Sequence, residues 1–249
     1  MLWAITEANT LLLRRSAGFF PAMATVFALI AFCAYQTTAV SFNLLPGIFL
    51  QQAHFAAVEF LVLLAGLAGA YLGGEPSKWR VQAEWLTRAG APALWAANVV
   101  TIMLVAIGFA VEGLLLGAGA ELILGSAQIP WAVSMQSVVI VGSSYLMWGL
   151  LGYTVAATSG DSGTGVFVVC ALMVANHLGR VFLPGAVSSM LPGVAHSLLI
   201  ADLFGRQVGF LTVVRPIGAE LISRPVIASA WLLLAVVGSA LAMCWSKHH

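Results

Sequence analysis

"PALWAANVVTIMLVAIGFAVEGLLLG", residues 92–117, carries a single ionisable side chain, Glu112. As a helix rising 1.5 Å per residue it would reach about 39 Å, more than the ~30 Å hydrocarbon core of a bilayer. Similar stretches lie on both sides of it. Runs free of Asp, Glu, Lys and Arg cover 16–58, 89–111, 122–160, 162–179, 181–201 and 225–246. Charged residues make up 8% of the chain against roughly 25% in a soluble domain. With a mean hydropathy of +1.01, most of the surface has too few charges to face water. The expected fold is therefore all-α, a polytopic membrane protein in one transmembrane domain, 1–249.

Six transmembrane helices are expected, at 19–40, 53–73, 92–117, 131–157, 163–181 and 225–246. The segment 182–224 is broken by Pro184, Pro192 and Pro216 and holds His196, Asp202, Arg206, Arg215, Glu220 and Arg224. It reads as a re-entrant or extracellular helical hairpin, because irregular backbone at membrane depth needs cover from protein or water. Orientation follows Lys and Arg in short flanks. Arg14, Arg15, Lys78, Arg80, Arg88 and Lys247 fall on one side; Arg180, Arg206, Arg215 and Arg224 fall on the other, near the last loop. Both termini are expected to be cytoplasmic, in the plasma membrane.

Two cytoplasmic elements stand out. Residues 2–17 place Leu2, Trp3, Ile5, Leu12 and Leu13 along one side of a helix and Glu7, Asn9, Arg14 and Arg15 along the other. That pattern fits an amphipathic helix in the interface plane, or a positive-inside anchor for the first span. Residues 73–92, "GGEPSKWRVQAEWLTRAGAP", hold the densest charge in the chain. Pro76 near the first turn, Arg80–Glu84 and Glu84–Arg88 at a spacing of four, and Gly90-Ala91-Pro92 as a stop predict a helix over 75–90. Trp79 and Trp85 on it suit a docking surface or an interfacial belt.

Several function classes are disfavoured. A net charge of +1 offers no field for nucleic acid. Cys33, Cys170 and Cys244 sit scattered in apolar runs and form no CxxC site. No basic n-region with a short apolar core opens the chain, and the closing His248-His249 pair is assigned no role. Neither lysine, Lys78 nor Lys247, lies in a phosphate-binding Gly-Lys-Ser/Thr loop, so ATP hydrolysis by that route is not expected here. "GDSG" at 160–163 copies a protease nucleophile loop without its β-barrel; Asp161 and Ser162 are expected to cap the fifth span instead. His54, His177 and His196 form no HExxH, and no metal site is expected. Gly69/Gly73 and Gly113/Gly117 allow close helix packing, within the fold or at a dimer seam.

Nearly the whole chain resembles the permease subunit of type-2 ABC exporters. The likeness is carried by "TEANTLLLRRSAGFF" (6–20) before the first span and by "EPSKWRVQAEWLTRAGAPALWAAN" (75–98) between the second and third. It is also carried by the Pro/Gly-rich "FLPGAVSSMLPGVAHSLL" (182–199) before the last. In that family the helix between spans two and three docks onto a separate ATPase. The resemblance implies that Glu75, Trp79, Arg80, Glu84, Trp85 and Arg88 form this coupling surface, flanked by Glu7 and Arg14 of the first helix. It implies two permease copies, identical or merely related, with two ATPase subunits that carry ATP and magnesium; this chain itself would hold no cofactor.

Ionisable residues inside a bilayer are costly and often functional. Glu59 lies inside the second span, and Asn176, His177 and Arg180 cluster near the outer end of the fifth. A Glu59–Arg180 or Glu59–His177 pairing is expected if those two spans meet, with a buried structural pair as the plainer reading. In the resembled family spans one, two and five border the cargo path, which implicates Tyr35, Gln36, Glu59, Asn176 and His177. The expected function is export of an amphipathic or lipophilic cargo (a drug, natural product or modified peptide), with no enzyme activity on this chain. The alternative is an intramembrane enzyme acting on lipid or peptide near the outer face through Glu59, Glu112, Glu121 or Asp202. A proton-coupled secondary transporter ranks below both, for want of mid-span ionisable residues and inverted repeats.

Overall fold

A computed structural model describes residues 2–15, 51, 53, 54, 56–74, 88–124, 131–204 and 223–245. All regular structure among them is helical. An N-terminal helix α1 (Leu2–Arg15) is followed by a π-helical turn, Ala57–Leu61, that runs straight into α2 (Val62–Gly74). Next come α3 (Ala91–Leu124), α4 (Trp131–Ser159) and α5 (Ser162–Phe182). Two short helices, α6 (Gly185–Ser188) and α7 (Pro192–Leu203), precede the last, α8 (Arg224–Trp245). Four helices are long and apolar enough to cross a membrane, over Ala91–Gly119, Val133–Ser159, Ser162–Arg180 and Arg224–Cys244; Val62–Gly74 is apolar but shorter. The span expected at 19–40 lies outside the described residues. The third helix continues to Leu124, seven residues past the expected 117. Polar Glu121 does not end it, since nothing there breaks a helix.

α4 is the central post, packed against α2, α3, α5 and α8. Lipid offers no hydrophobic drive between helices, so small residues that admit close backbones do the joining. A Cβ on Gly69 would lie 1.8 Å from the Gly149 carbonyl oxygen, and one on Gly152 would lie 2.1 Å from that of Gly66. Further down, Gly73 abuts the backbone of Tyr153, and Gly165 of α5 abuts Ala70 and Ala156. The Gly69/Gly73 step thus belongs to an internal seam of this chain. Gly113 has nothing within 4 Å of its Cβ position.

The helix ends sort into two groups. At one end Gly74 touches Asp161 and Ser162 of the α4–α5 turn. Asp161 caps α5 there, accepting the Thr164 N–H at 2.6 Å and its hydroxyl at 2.7 Å. These bonds hold the Asp161 carboxyl below the usual carboxylate range. α1 lies against α3 at this same end. Its Ile5, Thr6, Asn9 and Leu13 are buried, while Trp3, Glu7 and Arg14 are exposed. This corrects the expected faces. Asn9 points inward because its Nδ2 donates to Asn98 Oδ1 at 2.8 Å, and Asn98 Nδ2 donates to the Tyr153 hydroxyl at 3.1 Å. Trp3 turns outward, 69% exposed. Trp95 Nε1 donates to Ser239 Oγ at 3.0 Å and ties α8 to the start of α3.

At the other end α5 stops at Phe182, with Leu183 extended before Pro184, as the residue before a proline prefers. Leu191 repeats the device before Pro192, which opens α7. α7 is 12 residues long, too short to cross a bilayer, yet eight of them are buried. It is therefore packed into the bundle and does not lie on its surface.

Candidate functional site

Two places gather the residues singled out from sequence, one at each end of the bundle. The first is the α1 end. The chain leaves α2 at Gly74 and returns just before α3, so residues 75–87 connect two helix ends next to α1. Glu75, Trp79, Arg80, Glu84 and Trp85 lie outside the described residues. Arg88 is exposed, in the last turn before Gly90, whose φ of +78° provides the left-handed step into α3. Glu7 and Arg14 are exposed on the outer face of α1.

The second place is a buried polar cluster at the opposite end. Glu59, in the middle of the π-helical turn, is 3% exposed. A π turn takes an extra residue, which resets the faces of the segment before it; such turns recur at functional sites. The Arg180 Nη2 of α5 lies 2.6 Å from Glu59 Oε1. His177 Nε2 lies 3.4 Å from Glu59 Oε2. Ser197 Oγ of α7 donates to the same Oε1, and Arg180 Nη2 donates to Ser197 Oγ at 3.3 Å. Beside them Asn176 Oδ1 accepts the Gly193 N–H at 3.2 Å. The expected meeting of Glu59 with Arg180 and His177 is thus present. Tyr35 and Gln36 lie outside the described residues.

Burial explains the geometry. A carboxylate taken from water loses several kcal/mol of hydration unless a counter-ion and hydrogen bonds replace it. Arg180 supplies the charge and Ser197 a hydroxyl donor. His177, one third exposed on its side chain, lies between the carboxylate and the outside. Its Nδ1 is 3.0 Å from the Met173 carbonyl, which fixes the ring.

Ser197 and Gly193 were not anticipated from sequence; neither type is distinctive, and only the fold of the hairpin brings them to Glu59. His54 was weighed in the sequence only as a member of a zinc motif. It is wholly buried, with no hydrogen-bond partner for either ring nitrogen among the described residues, and its ring centroid lies 6.3 Å from that of Phe204.

Among the described residues, the carboxylates named for an intramembrane reaction do not converge on one another. Asp202 is paired with Arg224, at the junction of α7 and α8. Glu112 lies on α3 near Tyr145, and the side chain of Glu121 is outside the described set. Among the described residues no group of three or more His, Cys, Asp or Glu is placed to hold a metal ion. The Asp161 of "GDSG" serves as a helix cap. Comparison with protein-family models, with curated proteins and with solved structures found no match for this chain.

Proposed function

We propose that this chain is the permease subunit of an ATP-driven ABC transporter, exporting an amphipathic or lipophilic cargo with the force of a separate ATPase. The observation that carries the reading is the shared location of α1 and the two helix ends, at Gly74 and Arg88, between which residues 75–87 run. The buried chain Asn9–Asn98–Tyr153 fixes α1 against α3 and α4, at the end where Gly74 and Arg88 bracket that segment. A partner that pushes there has a rigid lever, because α1, α3 and α4 are joined by hydrogen bonds that water does not reach. The outer face of α1 offers such a partner Trp3, Glu7 and Arg14, and the sequence between α2 and α3 adds Trp79, Arg80, Glu84, Trp85 and Arg88.

The lipophilic-cargo reading rests on the sequence, where no ladder of charged residues crosses the long apolar runs. The enzyme alternative draws less support. Ser197 is wholly buried, and the charge of Glu59 is already committed to Arg180. A serine so placed has neither a free base nor access to a substrate.

Expression with an ATP-binding cassette ATPase subunit, followed by reconstitution in lipid, tests the proposal. The chain is expected to raise ATP hydrolysis above that of the ATPase alone. Changing Trp79, Arg80 and Trp85 together to Ala returns the rate to the level of the ATPase alone while the membrane subunit stays folded. Equal rates with and without the chain would refute the reading.

A further inference from the structure

We infer that Glu59 is the hub of a polar latch holding α7 closed against α5 and the π-helical turn, and that this seam opens when the hub is lost. The inference does not depend on the transport reading. α7 packs on α4, and it meets α5 and the turn through a set of polar groups. Gly193 approaches so closely that a Cβ there would lie 2.3 Å from Asn176 Nδ2. One turn on, Ser197 reaches Glu59, and Arg180 reaches both. To the apolar cluster that holds Ala57, Val58 and Leu61 of the turn and Val141 and Tyr145 of α4, α7 adds two buried side chains, Ile200 and Ala201.

On its other side α7 is fastened to α8. Asp202 pairs with Arg224, and Trp231 Nε1 donates to the Met190 carbonyl at 2.7 Å in the loop that leads into α7. The apolar contact of Ala195 with Ile227 and Ala228 reinforces this side. α7 and the start of α8 therefore form one unit. Extended residues Leu183 and Leu191, each before a proline, interrupt the helical path between α5 and that unit.

A seam closed by a buried ion pair behaves unlike one closed by aliphatic packing. When it parts, Glu59, Arg180 and Ser197 recover their hydration, which offsets much of the lost attraction. The closed form is then specified in geometry but not deeply favoured. Removing one partner is different, since the other charge stays buried without the counter-ion that closed the pair and its hydration favours the open form. His177, one third exposed, is where water would first enter.

Thiol accessibility in lipid nanodiscs tests this, in a background with Cys33, Cys170 and Cys244 changed to Ser. Ala201→Cys places a probe on the seam, at a residue 8% exposed. Ala97→Cys, at a wholly buried residue of α3 near the other end, is the control. Glu59→Gln and Arg180→Gln are each expected to speed maleimide labelling at position 201 by about tenfold, the factor that 1.4 kcal/mol of shifted opening equilibrium produces. Labelling at position 97 stays unchanged. The double variant, which leaves no lone buried charge, labels more slowly than either single one. Unchanged labelling at 201 in Glu59→Gln would overturn the proposal. So would a parallel rise at 97, which marks general loosening, or a double variant faster than both singles.

Discussion

Gly69→Val is expected to abolish the folded protein. A Cβ at this position falls 1.8 Å from the Gly149 carbonyl oxygen and 3.0 Å from the Tyr153 amide nitrogen. Both are backbone atoms of α4, so no rotamer change can relieve the contact. The two helices must move apart along a seam where Cβ atoms on Gly73 and Gly152 would also meet backbone oxygens, at 2.6 and 2.1 Å. Overpacking a core costs about 1–3 kcal/mol where side chains can adjust. Here they cannot, and the loss belongs at or above ~3 kcal/mol. In a membrane the lost van der Waals contact is the main attraction between helices, so little remains to compensate. The measurement is the yield of monodisperse protein in detergent and its thermal midpoint. Gly69→Ala should fail almost as badly, because the first carbon already clashes. Gly108→Ala and Gly113→Ala meet nothing within 4 Å, and should be neutral or stabilising by up to about 1 kcal/mol through helix propensity.

Asn98→Leu is expected to be the most damaging change at the α1 end. Asn98 is wholly buried and serves two partners at once, the Asn9 amide and the Tyr153 hydroxyl. A leucine strands both. Each buried polar group left without a partner costs about 1–3 kcal/mol, so a loss of roughly 2–5 kcal/mol follows. α1 should detach, because Asn9 is the polar contact at the centre of its buried stripe. The triple change Asn9→Leu, Asn98→Leu, Tyr153→Phe tests the cause. It removes all three polar groups together and is expected to recover most of the lost stability, since matched apolar partners can replace a hydrogen-bonded set at little cost. If the triple variant is as unstable as Asn98→Leu alone, the packing of Asn98 matters and its hydrogen bonds do not.

These two sites differ in how far the sequence revealed them. The long helices are legible because charge is absent from them: α4, α5 and α8 begin and end within two residues of the expected limits. Lipid imposes that pattern on every exposed position, so it survives without knowledge of neighbours. The glycines of α2 were visible as small steps, but a spacing does not name the helix on the other side. That needed the fold, which put Gly149 and Gly152 opposite.

On α1 the polarity rule misled. Asn9 was sorted with Glu7 and Arg14 because it is polar, whereas a buried polar partner on α3 draws it inward. Trp3 was sorted with the apolar face, yet it is exposed where Ile5 and Leu13 are buried. Amphipathic reasoning assumes water on one side and protein on the other. A helix at a membrane surface has protein, lipid and water around it, and a tryptophan suits the lipid boundary.

The Glu59 cluster was half legible. A carboxylate within an apolar run needs a cation, and Arg180 with His177 at the matching depth of another helix were the natural partners. Ser197 and the Asn176–Gly193 contact arise from the fold of the proline-interrupted hairpin, and a π turn has no sequence signature that would have announced how Glu59 is presented.

The central proposal is that an ATPase docks at the end bearing α1, Gly74 and Arg88. Site-specific photo-crosslinking tests it most directly. A photoreactive amino acid is placed at Trp85, at Leu11 on the exposed side of α1, and at Leu183 at the opposite end, in cells that also produce the ATP-binding cassette ATPase of the reconstitution. The account predicts a crosslinked band with the ATPase from positions 85 and 11, and none from 183. Bands from 183 alone, or no band from any position while the ATPase is present, would contradict it.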